Sequence, residues 1–147
     1  MVIRSPLSDL EIPDVALTPF VLERAAEYGE HAALVDGSSG RTITYAQLDE
    51  LVRRCAVGLI ERGLRPGEVV AIFSPNVPEY AVAFHGVSLA GGASTTVNAL
   101  YIADELAFQL RDAGARFLVT APGLLECALT AAAQAAVDEV FLSLIHI

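Results

Sequence analysis

The sequence predicts an α/β fold: a mostly parallel sheet with helices on both faces, preceded by a short helix and a β-hairpin. Three observations carry that expectation. From Val69 onward, short apolar runs alternate with segments of helical period, reading strand, helix, strand, helix, strand, helix, strand. The first run, Val69 to Phe73, is apolar at every position, as a strand covered on both faces requires. Glycine and proline punctuate the boundaries at Gly63, Pro66-Gly67, Gly91-Gly92 and Gly114. Repeated βαβ units imply right-handed crossovers between parallel strands.

Residues 1–17 mix apolar and acidic positions around Pro6 and Pro13 and read as an irregular lead-in. Thr18-Pro19 is expected to open a helix that ends near Gly29, with Thr18 as cap and Phe20, Val21, Leu22 and Ala25 on its apolar side. Ala32 to Val35 and Arg41 to Thr44 form a hairpin across the polar loop 36–40. Thr44-Tyr45-Ala46-Gln47 is a capping box. Behind it, Leu48, Leu51, Val52, Cys55 and Leu59 share one helix side, while Asp49, Glu50, Arg53 and Arg54 face out. Gly63 stops this helix, and Arg65-Pro66-Gly67-Glu68 fits a type II turn.

After the strand 69–73, Asn76 is expected to cap a helix that runs to about Ala90 and is apolar on most sides, hence buried. Gly91-Gly92 ends it, and Ala93 to Val97 is the next strand. An amphipathic helix from Asp104 to Ala113, a strand from Arg116 to Thr120, an alanine-rich helix from Leu124 to Ala136 and a strand from Glu139 to Leu142 follow. The expected organisation is a lead-in over 1–17, an α/β subdomain over 18–142 and a tail over 143–147. That tail, Ser143-Leu144-Ile145-His146-Ile147, has no cap or turn and is expected to be a truncation or an artefact.

Composition narrows the function classes. At 147 residues the chain has the size of one domain, but 54% hydrophobic residues exceed what a free-standing domain needs. The apolar excess implies faces that belong against further chain rather than a membrane span. The longest apolar stretch, Val77 to Val97, is interrupted by Glu79, His85, three glycines and several hydroxyl residues. A net charge of −9 argues against a nucleic-acid partner. Cys55 and Cys127 lie far apart and read as small buried hydrophobes. Without a signal-like start, a cytoplasmic location is expected. Every basic residue is arginine; lysine is absent.

Candidate chemistry reduces to structural roles. Gly91-Gly92 follows a helix and precedes a strand, the reverse of a phosphate loop, and is expected to be a turn. Ser74-Pro75-Asn76 and Thr95-Thr96-Val97-Asn98 lie at carboxyl ends of strands, where open α/β sheets bind ligands, although capping alone accounts for them. His85 is expected to be satisfied within the protein, His31 to be solvated, and His146 belongs to the tail. Asp104-Glu105 opens a helix, where negative charge suits the macrodipole without a metal.

The order of several short segments adds a resemblance. Ile3-Arg4-Ser5, Leu34-Val35-Asp36-Gly37, Thr44-Tyr45-Ala46-Gln47-Leu48, Gly67-Glu68-Val69-Val70, Ser74-Pro75-Asn76-Val77-Pro78-Glu79-Tyr80, Leu89-Ala90-Gly91-Gly92-Ala93 and Thr95-Thr96-Val97-Asn98-Ala99-Leu100-Tyr101 follow one another at telling spacing. Over roughly residues 1–140 the chain resembles the N-terminal region of adenylate-forming (AMP-dependent) acyl-CoA synthetases, most closely the 4-coumarate–CoA ligase-like branch. The resemblance implies a parent that joins a small carboxylic acid to AMP and then to coenzyme A, using ATP and Mg2+. Family members do this with a Ser/Thr/Gly-rich loop ending in lysine, an acidic magnesium ligand, a ribose-binding aspartate and a lysine of a mobile C-terminal domain. All lie downstream of the resembling region, so no catalytic, cofactor-binding or metal residue is expected here. None of ATP, Mg2+ or coenzyme A is expected to bind this chain tightly. Its expected partner is the remainder of the synthetase. A peptide-synthetase adenylation domain, a luciferase-like enzyme and a non-catalytic interaction domain remain as alternatives.

Overall fold

A computed structural model of the chain describes residues 11–143. The Ile3-Arg4-Ser5 segment, most of the lead-in, and the tail from 144 to 147 with its His146 lie outside the described residues.

The expected α/β architecture is present. β3 (Val69–Phe73), β4 (Ala93–Val97), β5 (Ala115–Thr120) and β6 (Glu139–Leu142) form one parallel sheet in the order β4-β3-β5-β6. β1 (Ala32–Val35) and β2 (Thr42–Thr44) form a separate antiparallel hairpin. Alternation along the strands sorts side chains onto two faces. Val70, Ile72, Phe117 and Val119 join the core formed with α3 (Tyr45–Glu61) and α4 (Pro78–Leu89). Ala71, Phe73 and Leu118 join the core formed with α5 (Ala103–Ala113) and α6 (Leu125–Ala135). Phe73, Phe117 and Ile72 are fully buried, each contributing roughly 1.5–3 kcal/mol of apolar transfer free energy.

Local chemistry explains most boundaries. The capping box is formed: the Gln47 amide N–H donates to Thr44 Oγ1 and the Thr44 N–H to Gln47 Oε1. Gly67 has φ +83, and the Glu68 N–H donates to the Arg65 carbonyl, completing the type II turn. Leu48, Val52, Cys55, Ala56 and Leu59 are the buried side of α3, one residue set away from the sequence reading, which has half-buried Leu51 in place of Ala56.

Two expectations need correction. The first helix is not continuous to Gly29 but splits into α1 (Leu17–Leu22) and α2 (Ala25–Tyr28), and Thr18 does not cap it. Thr18 is instead buried, its hydroxyl bonded to His85 Nδ1 at 3.0 Å and to the His85 carbonyl at 3.3 Å. A tertiary partner on α4 outcompetes the local cap. Asn76 likewise does not cap α4: Val77 holds that position and Pro78 opens the helix, where its missing N–H costs nothing. Asn76 is exposed.

Candidate functional site

Open α/β sheets bind ligands outside the carboxyl ends of strands, where the strand order reverses. Here that point lies between β3 and β5. The chain leaving β3 returns through α4 on one face to β4, and the chain leaving β5 returns through α6 on the other face to β6.

Several polar groups at this end are engaged within the protein. Ser74 is buried and its hydroxyl donates to the Pro75 carbonyl. Thr120, fully buried, donates to the Phe73 carbonyl, joining the ends of β5 and β3. Asn98 Oδ1 accepts from the Leu100 N–H in an Asx turn. Gln109 Nε2 donates to Thr95 Oγ1 and the Thr96 carbonyl. The Ser74-Pro75-Asn76 and Thr95-Thr96-Val97-Asn98 segments therefore sit where the sequence placed them, at strand ends.

Charge at this end is concentrated in one pair that sequence reading missed. Arg41, at the foot of the hairpin, meets Glu79, in the first turn of α4, in a bidentate fork of 2.5 and 2.7 Å. The Glu79 side chain is 11% exposed and that of Arg41 46%. Burial pushes the Glu79 carboxyl up, but the Arg41 hydrogen bond and charge outweigh it and hold it below its ordinary value. The signal was available: an acid inside the apolar run from Val77 needs a buried partner, though sequence alone does not say which arginine supplies it.

A second cluster stands at the opposite, amino end. Arg116 donates to the Gly63 carbonyl, Glu68 and Asp138, and lies 4.8 Å over the Phe117 ring. It ties the end of α3 to the starts of β3 and β6. Gly91-Gly92 is at this end as well. Gly91 has φ +81, and a Cβ on Gly92 would approach Leu64, Val87 and the Glu68 carbonyl at 3.1–3.2 Å, so the pair is a packed turn.

The remaining candidates are scattered. His85 meets Thr18 and Phe84, and burial lowers its pKa. His31 is exposed, with Nδ1 2.6 Å from the Tyr28 carbonyl. Glu105 accepts from the Ile102 N–H, and Asp104 from Gln134 of α6, so the acidic pair caps and braces. Among the described residues no three His, Cys, Asp or Glu side chains gather as a metal site, and no helix is long and apolar enough to cross a membrane. Among the described residues the fold brings neutral groups, several of them internally bonded, and the Arg41–Glu79 ion pair to the sheet's carboxyl end.

A parallel four-stranded sheet in this order, covered by helices on both faces, is an open α/β scaffold, and comparison with known proteins gives its family. Residues 21–144 match the model of the AMP-binding enzyme family, and the chain belongs to that family. It is 39% identical to a 4-coumarate–CoA ligase of Pinus taeda over 124 residues, covering 84% of this chain and 23% of that enzyme. The N-terminal domain of FACL13 from Mycobacterium tuberculosis superposes with a TM-score of 0.76 at 28% identity, over 84% of this chain and 33% of that one. A long-chain-fatty-acid–CoA ligase from Archaeoglobus fulgidus shares the fold at a TM-score of 0.85, over 95% of this chain and 29% of its own, at 23% identity. The chain thus spans about a quarter of the length of the curated relative.

Proposed function

We propose that residues 18–142 are the N-terminal α/β subdomain of an ATP-dependent acyl- or aryl-CoA ligase. Its parent converts a carboxylic acid and ATP to an acyl-adenylate and pyrophosphate, and coenzyme A thiolate then displaces AMP to give the thioester. The observation that carries this reading is the 39% identity to a 4-coumarate–CoA ligase within a segment that makes up 23% of that enzyme. Bringing a carboxylate to a triphosphate requires magnesium and cationic side chains to offset the repulsion.

The donor set of this chain does not fit that task by itself. Lysine is absent, the Ser74 and Thr120 hydroxyls donate to backbone carbonyls, and Asn98 Oδ1 accepts from the Leu100 N–H. Arg41, the cation at the sheet's carboxyl end, is held by Glu79. The chain is therefore a scaffold, and the residues that hold ATP, Mg2+ and coenzyme A come from elsewhere in the parent. Two free cysteines are in keeping with a cytoplasmic enzyme.

Acid-dependent exchange of pyrophosphate into ATP tests the proposal. With 4-coumarate as the acid, the 147-residue chain is expected to give no exchange, and the same chain within its full synthetase is expected to give it. Exchange by the short chain alone refutes the scaffold reading.

A further inference from the structure

The loop that joins β1 to β2 holds a reactive backbone step that the ligase reading does not use. Asp36-Gly37 is the only aspartate–glycine pair in the chain, and neither asparagine precedes a glycine. Attack of the Gly37 nitrogen on Asp36 Cγ closes a five-membered succinimide. A C–N bond forms, and the carboxyl hydroxyl leaves with the amide proton as water. Water then opens the ring at either carbonyl. One opening restores aspartate, and the other yields isoaspartate, whose main chain runs through Cβ and Cγ. No oxidant or further co-reactant is consumed. Glycine favours the attack, because no Cβ shields the nitrogen.

The fold leaves that nitrogen open. Gly37, Ser38, Ser39 and Gly40 are exposed, and a Cβ on Gly37 would meet no atom within 4 Å. Among the described residues the Gly37 N–H donates to no protein group. The electrophile, by contrast, is held. Asp36 Oδ1 accepts from Ser38 Oγ at 2.7 Å, the Ser38 N–H at 2.9 Å and the Ser39 N–H at 3.4 Å, an Asx turn. These bonds, the Ser38 hydroxyl foremost, hold the carboxyl well below its ordinary value, because they favour the charged form. An ionised carboxylate has no hydroxyl to lose and is a poor electrophile. The same bonds fix its rotation, so ring closure must first break them.

We propose that Asp36-Gly37 is a site of spontaneous isomerisation to isoaspartate, gated by the grip of Ser38 on the Asp36 carboxylate. While the grip lasts the step is slow, and local opening of the loop frees the carboxyl and starts it. The product carries an extra main-chain carbon within the loop 36–40. Two bonds close that loop, from the Asp36 N–H to the Arg41 carbonyl and from the Gly40 N–H to the Asp36 carbonyl, both at 2.8 Å. Arg41, next along the chain, clamps the hairpin to Glu79. Isomerisation therefore disturbs the hairpin register and loosens that clamp.

Ageing the 147-residue chain near neutral pH tests the proposal. Isoaspartate is located by electron-transfer fragmentation and counted by methyl transfer from S-adenosylmethionine with an isoaspartyl methyltransferase. It is expected at Asp36 ahead of every other residue, and on the order of tenfold faster in chain unfolded by urea. Ser38→Ala is expected to speed the native reaction on the order of tenfold, the gain in protonated fraction for each pKa unit regained. Ser38→Thr, which keeps the hydroxyl, is expected to keep the parent rate. Gly37→Ala is expected to slow the reaction on the order of tenfold or more, native or unfolded. Equal rates in native and unfolded chain, or a Ser38→Ala chain as slow as the parent, overturns the gate. Amide exchange in β1 and β2 guards against a trivial cause: acceleration in Ser38→Ala with the hairpin intact supports the gate, and acceleration only where the hairpin has melted overturns it. Isoaspartate that arises first at another residue, or never at Asp36 in Ser38→Ala, overturns the site itself.

Discussion

On one face of the sheet, α3 and α4 approach most closely where Gly86 lies against Cys55. On the other, α5 and α6 meet through Ala128, Ala131 and Ala132 against Leu106, Ala107 and Leu110. A Cβ on Gly86 would fall 2.5 Å from Cys55 Sγ and 2.7 Å from its Cβ, closer than real atoms come. The first contact depends on the absence of one atom group, while the second is spread over a run of small residues. The difference extends to coverage: α6 packs across β5 and β6, whereas on the other side β6 meets the core through Phe141, beneath the Arg62 guanidinium at the end of α3. Closeness set by a single glycine is brittle, and closeness set by several alanines is graded.

The largest effect should come from breaking the brittle contact. Gly86→Leu is expected to destabilise the chain by about 3 kcal/mol, because neither helix backbone can retreat without opening the sheet-facing core. Ala131→Gly on the other face should cost about 1 kcal/mol, the intrinsic helix penalty. Urea midpoints at constant slope measure both. A Gly86→Leu chain as stable as the parent would mean that α3 and α4 slide freely, and the contrast between the faces would go.

The faces also differ in how they are tied. Arg41 and Glu79 clamp the hairpin to the α4 side, while α5 and α6 share exposed polar contacts such as Gln134 with Asp104. Arg41→Ala leaves Glu79 poorly solvated without its cation, and should cost about 2 kcal/mol after allowing for water reaching the half-exposed guanidinium. In a Glu79→Gln background the same substitution should cost less than half as much, which a double-mutant cycle reads directly. Gln134→Ala should stay within about 0.5 kcal/mol. A smaller effect follows from pH. The Glu79 carboxyl sits below its ordinary value of 4.5 in the folded chain, so its contribution is complete above that value and fades as pH falls through the lower, folded one. Thermal stability is therefore expected to drop below pH 4.5 and to drop less steeply in Glu79→Gln.

Sequence revealed the local features of this molecule better than the long-range ones. The α3 capping box, the turn at Pro66-Gly67 and the strands from Val69, Ala93 and Glu139 are local patterns, set by neighbours a few residues away, and each stands where it was read. Thr18 was misread because its partner His85 is 67 residues distant. Arg41 and Glu79 are 38 apart, and no local period links them. At the carboxyl end of the sheet, Ser74 and Asn98 were correctly located, but their structural use depends on backbone atoms that only the fold brings near.

Each face carries one cysteine, which gives the finest test of the comparison. Burial pushes the Cys55 thiol up to about 11, beneath α4 on the brittle face. Cys127, on α6, is only half-buried; burial raises its pKa too, and its Sγ lies 3.5 Å from the Tyr101 carbonyl. A thiol reagent at about pH 8 attacks the thiolate, so native protein should lose Cys127 first and Cys55 only through opening of the α3–α4 contact. Gly86→Ala, which loosens that contact, should speed Cys55 modification on the order of tenfold for each 1.4 kcal/mol lost, while Cys127 keeps its rate. Parallel acceleration of both thiols would show that the two helix layers open together, and would erase the distinction between them.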